Sequence, residues 1–385
     1  MCFNSLTKLV ALLIILIFYH IGYTKNIEQV PKINNTSIKI AIVAPLTGSY
    51  AKYGQELLLA TNHAINDLSK QQNYLEIIPF DDQCNPDLAK SIAIQITNDP
   101  KIKAVIGHVC SETTIAASKI YAKHGILQIV PSSTSRRITE SHINTLFRVC
   151  GKDDIQAQFI SNFLSRKFNN QKIAILHSQD LSSKELAEYV QEYLAMLKIS
   201  PTVYQSITIG DLNNHKKIKS ILKKLKKIKV DVIFFAGLYK ETANFVKTMH
   251  YNKITIPIIV PDSTATIGFI DTLISPKIAA GTIMSFQKLD MTKFNILNQQ
   301  ITGQGLFGYA AIQIIYAAIQ NNLTANNDTH NLNGRALANW LHNHKVTTIL
   351  GEKSWDTNGD ITDSEFTMYL WDEKGEYWNY SVPIN

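Results

Sequence analysis

Short apolar runs alternate with segments of helical periodicity along most of this chain. Residues 38–45, 74–81, 104–109 and 126–130 are apolar runs of the length expected for buried β-strands. Between them, apolar residues recur every three or four positions, as over residues 57–68, which predicts helices that bury one face. Strands that alternate with helices indicate a parallel, doubly wound α/β sheet.

The same alternation starts again after Gly151 and predicts a second α/β unit of similar size. The chain then continues with a strand, two helices and a final strand. The expected helices are 155–167, 182–197, 216–227, 240–251, 305–321 and 335–343, and the expected strands are 172–177, 202–209, 230–236, 256–260, 282–286 and 365–371.

Small polar residues follow the predicted strands at the points where the strands end. Ser111 lies between an apolar run and a helix, Ser132 and Thr134 lie in the next exit loop, and Asp262 follows Pro261 at a strand exit. Each could instead cap a helix. Because the carboxyl ends of parallel strands meet at one edge, where ligands bind, the four together predict a site for a ligand that carries both charges.

Composition is that of a globular protein, with 45% hydrophobic and 18% charged residues. The chain has 38 Lys and Arg residues against 31 Asp and Glu residues, and this excess is too small to indicate a nucleic-acid-binding protein. Residues 216–229 hold eight lysines together with apolar residues at helical spacing. We expect a helix that docks by its apolar stripe and solvates its basic face, the alternative being a membrane- or nucleic-acid-binding segment.

The N-terminus has the pattern of a secretory signal. Lys8 precedes the apolar run 9–19, and cleavage near Thr24 would remove residues 1–24. Residues 25–37 are then a polar linker, and an uncleaved anchor is the alternative. Export places Cys84, Cys110 and Cys150 in an oxidising compartment, where one pair and one free thiol are expected, and the sequence alone does not choose the pair.

Motifs for catalysis, cofactors or metals are weak or absent in the sequence. It contains no G-x-G-x-x-G, no phosphate-binding P-loop and no G-x-S-x-G. Residues 342–344 (His-Asn-His) are a poor metal signal, and residues 356–360 begin like a calcium loop that then lacks the required Gly and Glu. We therefore predict a protein without cofactor or metal that is not an enzyme, and keep a hydrolase or a Cys–His pair as the enzymatic alternative.

Several segments carry a resemblance to a known family. They are Ile38–Val43, Thr47-Gly48, Tyr53-Gly54, Asp81–Pro86, Val105–Ser111, Ala117–Tyr121, Gly125–Leu127, Pro131–Thr134, Ile173–His177, Tyr309–Ala311 and Trp355–Asp360. Over residues 38–372 the chain resembles the periplasmic leucine/isoleucine/valine-binding proteins that supply ABC transporters. The resemblance implies a type I periplasmic-binding fold, in which two lobes close on a ligand about a three-segment hinge. The lobes would be residues 38–151 with 285–361, and residues 152–284 with 362–385.

The resemblance also implies roles for individual residues. Ser111, Ser132 and Thr134 match groups that hold the carboxylate and part of the ammonium of an amino acid. Asp262 stands where the family has a glutamate that faces the ammonium, and Tyr53 matches an aromatic wall of the side-chain pocket. A Cys84–Cys110 disulfide, which leaves Cys150 free, is implied in the same way.

Two positions of the second lobe depart from the family pattern. A tyrosine after the strand ending in His177 is replaced by Ser182, and a second is replaced by Leu238, with Tyr239 next to it. The resemblance implies a monomeric periplasmic protein that binds an amino acid, expected to be branched-chain, and delivers it to an ABC permease in the membrane. The alternative is a ligand-sensing protein for another small amino acid or amide that does not take part in transport.

Overall fold

The computed structural model describes residues 37–69, 75–289, 303–326 and 332–380. The predicted signal peptide and nearly all of the predicted linker lie outside these residues.

A five-stranded parallel sheet forms the centre of the first lobe, in the order β2-β1-β3-β4-β5. Its strands are almost continuously apolar because helices cover both faces. Its elements are β1 (Ile38–Ala44), α1 (Ala51–Ser69), β2 (Leu75–Asp81), α2 (Pro86–Thr97), β3 (Ile102–Gly107), α3 (Ser111–Lys123), β4 (Leu127–Val130) and β5 (Leu146–Arg148).

The second lobe begins with five parallel strands and their helices. As predicted, strands and helices alternate, although the strand expected over 202–209 ends at Ser206 and a short helix follows. The elements are α4 (Asp153–Lys167), β6 (Ile173–His177), α5 (Leu181–Met196), β7 (Val203–Ser206), α6 (Ile209–Leu212), α7 (His215–Lys227), β8 (Val232–Ala236), α8 (Tyr239–Tyr251), β9 (Ile258–Val260), α9 (Ile267–Leu273) and β10 (Ile283–Gln287).

The last part of the chain is shared between the lobes. Helix α10 (Gly303–Asn326) packs against α1, and Gly308 allows the close approach, since a Cβ there would lie 2.5 Å from Leu57 Cδ1. Further elements are α11 (Gly334–Leu341), β11 (Val346–Thr348), β12 (Gly351–Lys353), β13 (Phe366–Trp371) and β14 (Tyr377–Asn379).

Two antiparallel strands at one edge make the second sheet mixed. Its order is β14-β13-β10-β9-β8-β6-β7, in which β13 runs antiparallel to β10 and β14 antiparallel to β13. The α/β fold class is confirmed. The second sheet is not parallel throughout, because β13 pairs antiparallel with β10 and forms a hairpin with β14. Its turn contains Gly375 at a φ of +79°, a conformation that glycine adopts without strain.

The chain crosses between the lobes three times, after β5, after β10 and between β12 and β13. These crossings lie close to the predicted positions 151, 285 and 361. Strand β10 continues in the second sheet to Gln287, two residues beyond the predicted boundary. The lobe boundaries themselves stay a prediction.

The lysine-rich helix α7 docks on the second lobe by its apolar stripe, while all eight lysines over residues 216–229 are exposed. Within the part of the chain that the structure describes, no helix has the length and apolar character needed to cross a membrane. The residues of α7 buried in the core are Ile218, Ile221, Leu222 and Leu225.

Candidate functional site

A cavity lies between the two lobes, at the carboxyl ends of strands from both sheets. It brings together seven of the eight residues proposed from the sequence as ligand contacts. Those seven are Tyr53, Ser111, Ser132 and Thr134 from the first lobe, and Ser182, Leu238 and Asp262 from the second.

Ser111, Ser132 and Thr134 are not helix caps. Cys110 holds the cap position of α3, and its side chain makes no capping hydrogen bond. Ser135, rather than Ser132 or Thr134, caps the short helical turn that follows. The first N–H groups of α3 therefore meet the cavity beside Ser111 without a capping side chain, which is the arrangement that suits a carboxylate.

Buried Arg148 holds the loop that carries Ser132 and Thr134. Its Nη1 donates to the Ser133 carbonyl at 2.7 Å and its Nη2 to the Ser135 carbonyl at 3.0 Å, while Nε pairs with Asp360 Oδ1 at 3.0 Å. Arg148 is 0% exposed. The binding loop is thereby fixed to the last crossing between the lobes, a contact that the sequence analysis did not find.

Two buried carboxyls line the same cavity. Asp262 is 9% exposed, and burial raises its pKa to about 6. A hydrogen bond from Gln156 acts in the opposite direction and lowers this pKa. Pro261 holds the cap position before it, so Asp262 is not the helix cap that the sequence left open. Asp153, which the sequence analysis missed, is 1% exposed, and burial raises its pKa well above the usual range.

Tyr239 lies behind Tyr53 and is not among the residues that line the cavity. Its ring meets that of Tyr53 edge to face, with centroids 4.8 Å apart, and its N–H donates to Tyr53 Oη at 3.2 Å. Tyr53 Oη in turn donates to the Ser263 carbonyl at 2.6 Å. Tyr53 belongs to the first lobe, whereas Tyr239 and Ser263 belong to the second. These contacts therefore hold the lobes together in a closed arrangement.

The cysteines are arranged as predicted. Cys84 and Cys110 form a disulfide next to Ser111, and Cys150 is a buried free thiol whose pKa is raised by burial to about 12. His108 contacts Asp82 and Tyr121 through its two ring nitrogens. Neither feature supports a Cys–His nucleophile, since the Cys150 thiol stays protonated at neutral pH.

Comparisons with known proteins agree with this architecture. A family model described as "Periplasmic binding protein" matches residues 37–376. An amino acid binding protein of Pseudomonas aeruginosa is 29% identical over 353 residues, covering 88% of this chain and 91% of that protein. The Leu/Ile/Val-binding protein of Escherichia coli K12 is 28% identical over 352 residues, covering 88% and 92%. A solved leucine-binding protein from Thermotoga maritima superposes with a TM-score of 0.76 at 18% identity, covering 89% and 98%. The chain belongs to the periplasmic binding protein family.

Proposed function

We propose that this protein is the solute-binding component of an ABC importer and that it binds an amino acid between its lobes. One observation carries the proposal: a single cavity combines the N–H groups at the start of α3, several hydroxyls and two buried carboxyls. That arrangement complements the carboxylate and ammonium of a zwitterion without burying an unpaired protein cation. The names of the amino acid binding protein of Pseudomonas aeruginosa and the Leu/Ile/Val-binding protein of Escherichia coli support the same ligand class.

In the proposed complex, the start of α3 with Ser111, Ser132 and Thr134 holds the ligand carboxylate and part of its ammonium. The ammonium meets Asp262, and Tyr53 covers one side. Contacts made from both lobes favour the closed form over the open one, and the membrane permease then recognises the closed form. The resemblance points to branched-chain side chains, but Ser182 and Leu238 take the places of two aromatic walls.

We further propose that residues 1–24 direct export, that the mature chain acts as a periplasmic monomer, and that residues 151, 285 and 361 mark the hinge. The relatives that match this chain are named as binding proteins. A protein of this kind releases its ligand unchanged, so recovery of a chemically altered ligand would oppose the proposal.

A thermal-shift screen of residues 25–385 against the twenty amino acids tests the function. A ligand at about 100 times its dissociation constant stabilises the folded state by roughly 2.7 kcal/mol. Ser111→Ala is expected to weaken binding by about 1–3 kcal/mol, because a ligand oxygen loses its buried partner. Ser91→Ala, an exposed position on α2, is the matched control and should bind as the wild type does.

The outcomes of that screen are distinct. A shift with one group of amino acids that Ser111→Ala reduces supports the proposed site. Wild-type affinity in Ser111→Ala would remove this hydroxyl from the site. The absence of a shift with every amino acid would overturn the ligand class and favour a protein that senses another small molecule.

A further inference from the structure

The charges that line the cavity are unbalanced. Four carboxyl side chains face it, and none of the described lining residues is Lys, Arg or His. Arg148 and Lys152 lie behind this wall, where both contact Asp360. A zwitterion adds no net charge when it binds, so it supplies no second cation for the carboxylates beyond the one that meets its ammonium. The four acidic residues are Glu112, Asp153, Asp180 and Asp262.

Two of these carboxylates come from opposite lobes and line the cavity where the lobes meet. Glu112 lies in the first turn of α3, and Asp180 caps the start of α5. Glu112 Oε1 accepts a hydrogen bond at 2.8 Å from the N–H of Leu181, the residue that follows Asp180. Closing the lobes therefore places Glu112 against the start of the helix that Asp180 caps, and like charges that line one cavity are stabilised by a cation between them.

Local hydrogen bonds satisfy Asp180 without neutralising it. Its Oδ1 accepts from the Ser183 N–H at 3.0 Å and from the Ser182 hydroxyl at 3.2 Å. These donors are neutral, so the carboxylate charge remains. Ser182 and Ser183 also line the cavity beside Asp180, and Leu186 of the same helix lines it with them. A branched-chain side chain placed beside Asp180 would meet hydroxyls and a carboxylate as well as Leu186.

Asp153 points independently to a ligand that donates hydrogen bonds. It lines the cavity, is 1% exposed, and its Oδ2 has no hydrogen-bond partner among the described residues. Leaving a buried acceptor without a partner costs about 1–3 kcal/mol. A cationic donor supplied by the ligand would satisfy this oxygen.

We propose that the ligand is an α-amino acid whose side chain carries a second positive charge, an ammonium or guanidinium group, placed between Glu112 and Asp180. This inference rests on the proposed function and specifies its substrate class. The α-ammonium lies at the Asp153 and Asp262 end of the cavity. The side-chain cation offsets the charges of both carboxylates, so closure depends on the charge of the ligand.

Calorimetric titration of the wild-type protein with L-lysine, L-ornithine, L-arginine and L-leucine tests the substrate class. We expect at least one of the three basic amino acids to bind more tightly than leucine. The double variant Glu112→Gln/Asp180→Asn should lose roughly 10- to 100-fold in affinity for that amino acid, because a charged hydrogen bond is lost. Gln still accepts from Leu181, and Asn caps a helix as well as Asp does, so the fold is retained.

The matched control is Glu188→Gln/Glu192→Gln, which removes two acids from the outer side of α5, away from the cavity. It should bind as the wild type does. Tight binding of leucine with no binding of the basic amino acids would overturn this inference and leave the proposed function intact. Basic amino acids that bind equally well to the double variant would exclude the Glu112–Asp180 pair. Failure of every amino acid to bind would instead contradict the proposed function.

Discussion

Arg148→Met is expected to lower the free energy of unfolding by about 3–5 kcal/mol, since it leaves buried Asp360 without its arginine. The side chain also satisfies two backbone carbonyls of the binding loop and the hydroxyl of Thr139, at 3.1 Å. Methionine fills much of the space but donates to none of these acceptors. Denaturant titration followed by circular dichroism measures the change.

The same substitution should weaken ligand binding, because the loop that carries Ser132 and Thr134 loses its anchor. We expect affinity to fall about tenfold, equivalent to about 1.4 kcal/mol. Arg148→Lys retains the charge but lacks the planar fork that reaches several acceptors, so it should recover only part of either loss.

Arg136→Met is the matched control for both measurements. Arg136 pairs with Glu140 at 2.6 Å, but both side chains are 49% exposed. An exposed pair of this kind contributes less than about 1 kcal/mol. Equal destabilisation by the two substitutions would show that the buried hydrogen bonds of Arg148 contribute no more to stability than the exposed ion pair of Arg136.

The sequence was sufficient to predict the elements that form the site, because the signals for them are local. The apolar run that ends at residue 109 and the helical pattern that follows place Ser111 at a strand exit, and Asp262 follows its strand in the same way. In a parallel sheet, topology then brings such exits to one edge without further information. The restart of the alternation after Gly151 predicts a second α/β unit, whereas the three crossings between the lobes were implied by the family resemblance.

Contacts between residues that are far apart in the sequence could not be predicted from local patterns. Arg148 and Asp360 are 212 positions apart, and nothing local marks either as the partner of the other. Asp153 resembles any acidic residue in the first turn of a helix, where it would favour the helix dipole. Its position after the predicted boundary at Gly151 is the only signal that it faces the cleft.

The remaining differences between the sequence-based prediction and the structure concern very short strands and the direction of individual side chains. Strands β11 and β12 have three residues each, which is too few for a periodic pattern. Tyr239 and Leu238 are neighbours, but only Leu238 faces the cavity. Which of two consecutive residues points inward at a helix start depends on the exit angle of the chain, which the sequence does not specify.

Asp262→Asn is expected to have opposite effects on stability and binding. The folded-state pKa of Asp262 is raised to about 6 from a usual value of 3.8, chiefly by burial. The stabilisation associated with a raised pKa is fully present below about pH 4 and is lost as the pH rises through about 6. The ionised carboxylate thus destabilises the unliganded protein at neutral pH, and the neutral amide removes that cost.

The stability difference between Asp262→Asn and the wild type should therefore depend on pH. We expect the ligand-free variant to be more stable by about 2–3 kcal/mol at pH 7.5, with little difference near pH 4. Thermal unfolding of both proteins at each pH measures this. Asp154→Asn, next to Asp153 but outside the cavity lining, is the matched control and is not expected to raise stability at pH 7.5.

Binding should change in the other direction. Removing the carboxylate leaves the ligand ammonium without its charged partner, which is expected to cost about 2–5 kcal/mol of binding free energy at pH 7.5. Such a result would mean that the site keeps a destabilising charge because the ligand needs it. A variant that is neither more stable without ligand nor weaker in binding would show that Asp262 does not face the ammonium, and the orientation of the ligand in the cavity would have to be reversed.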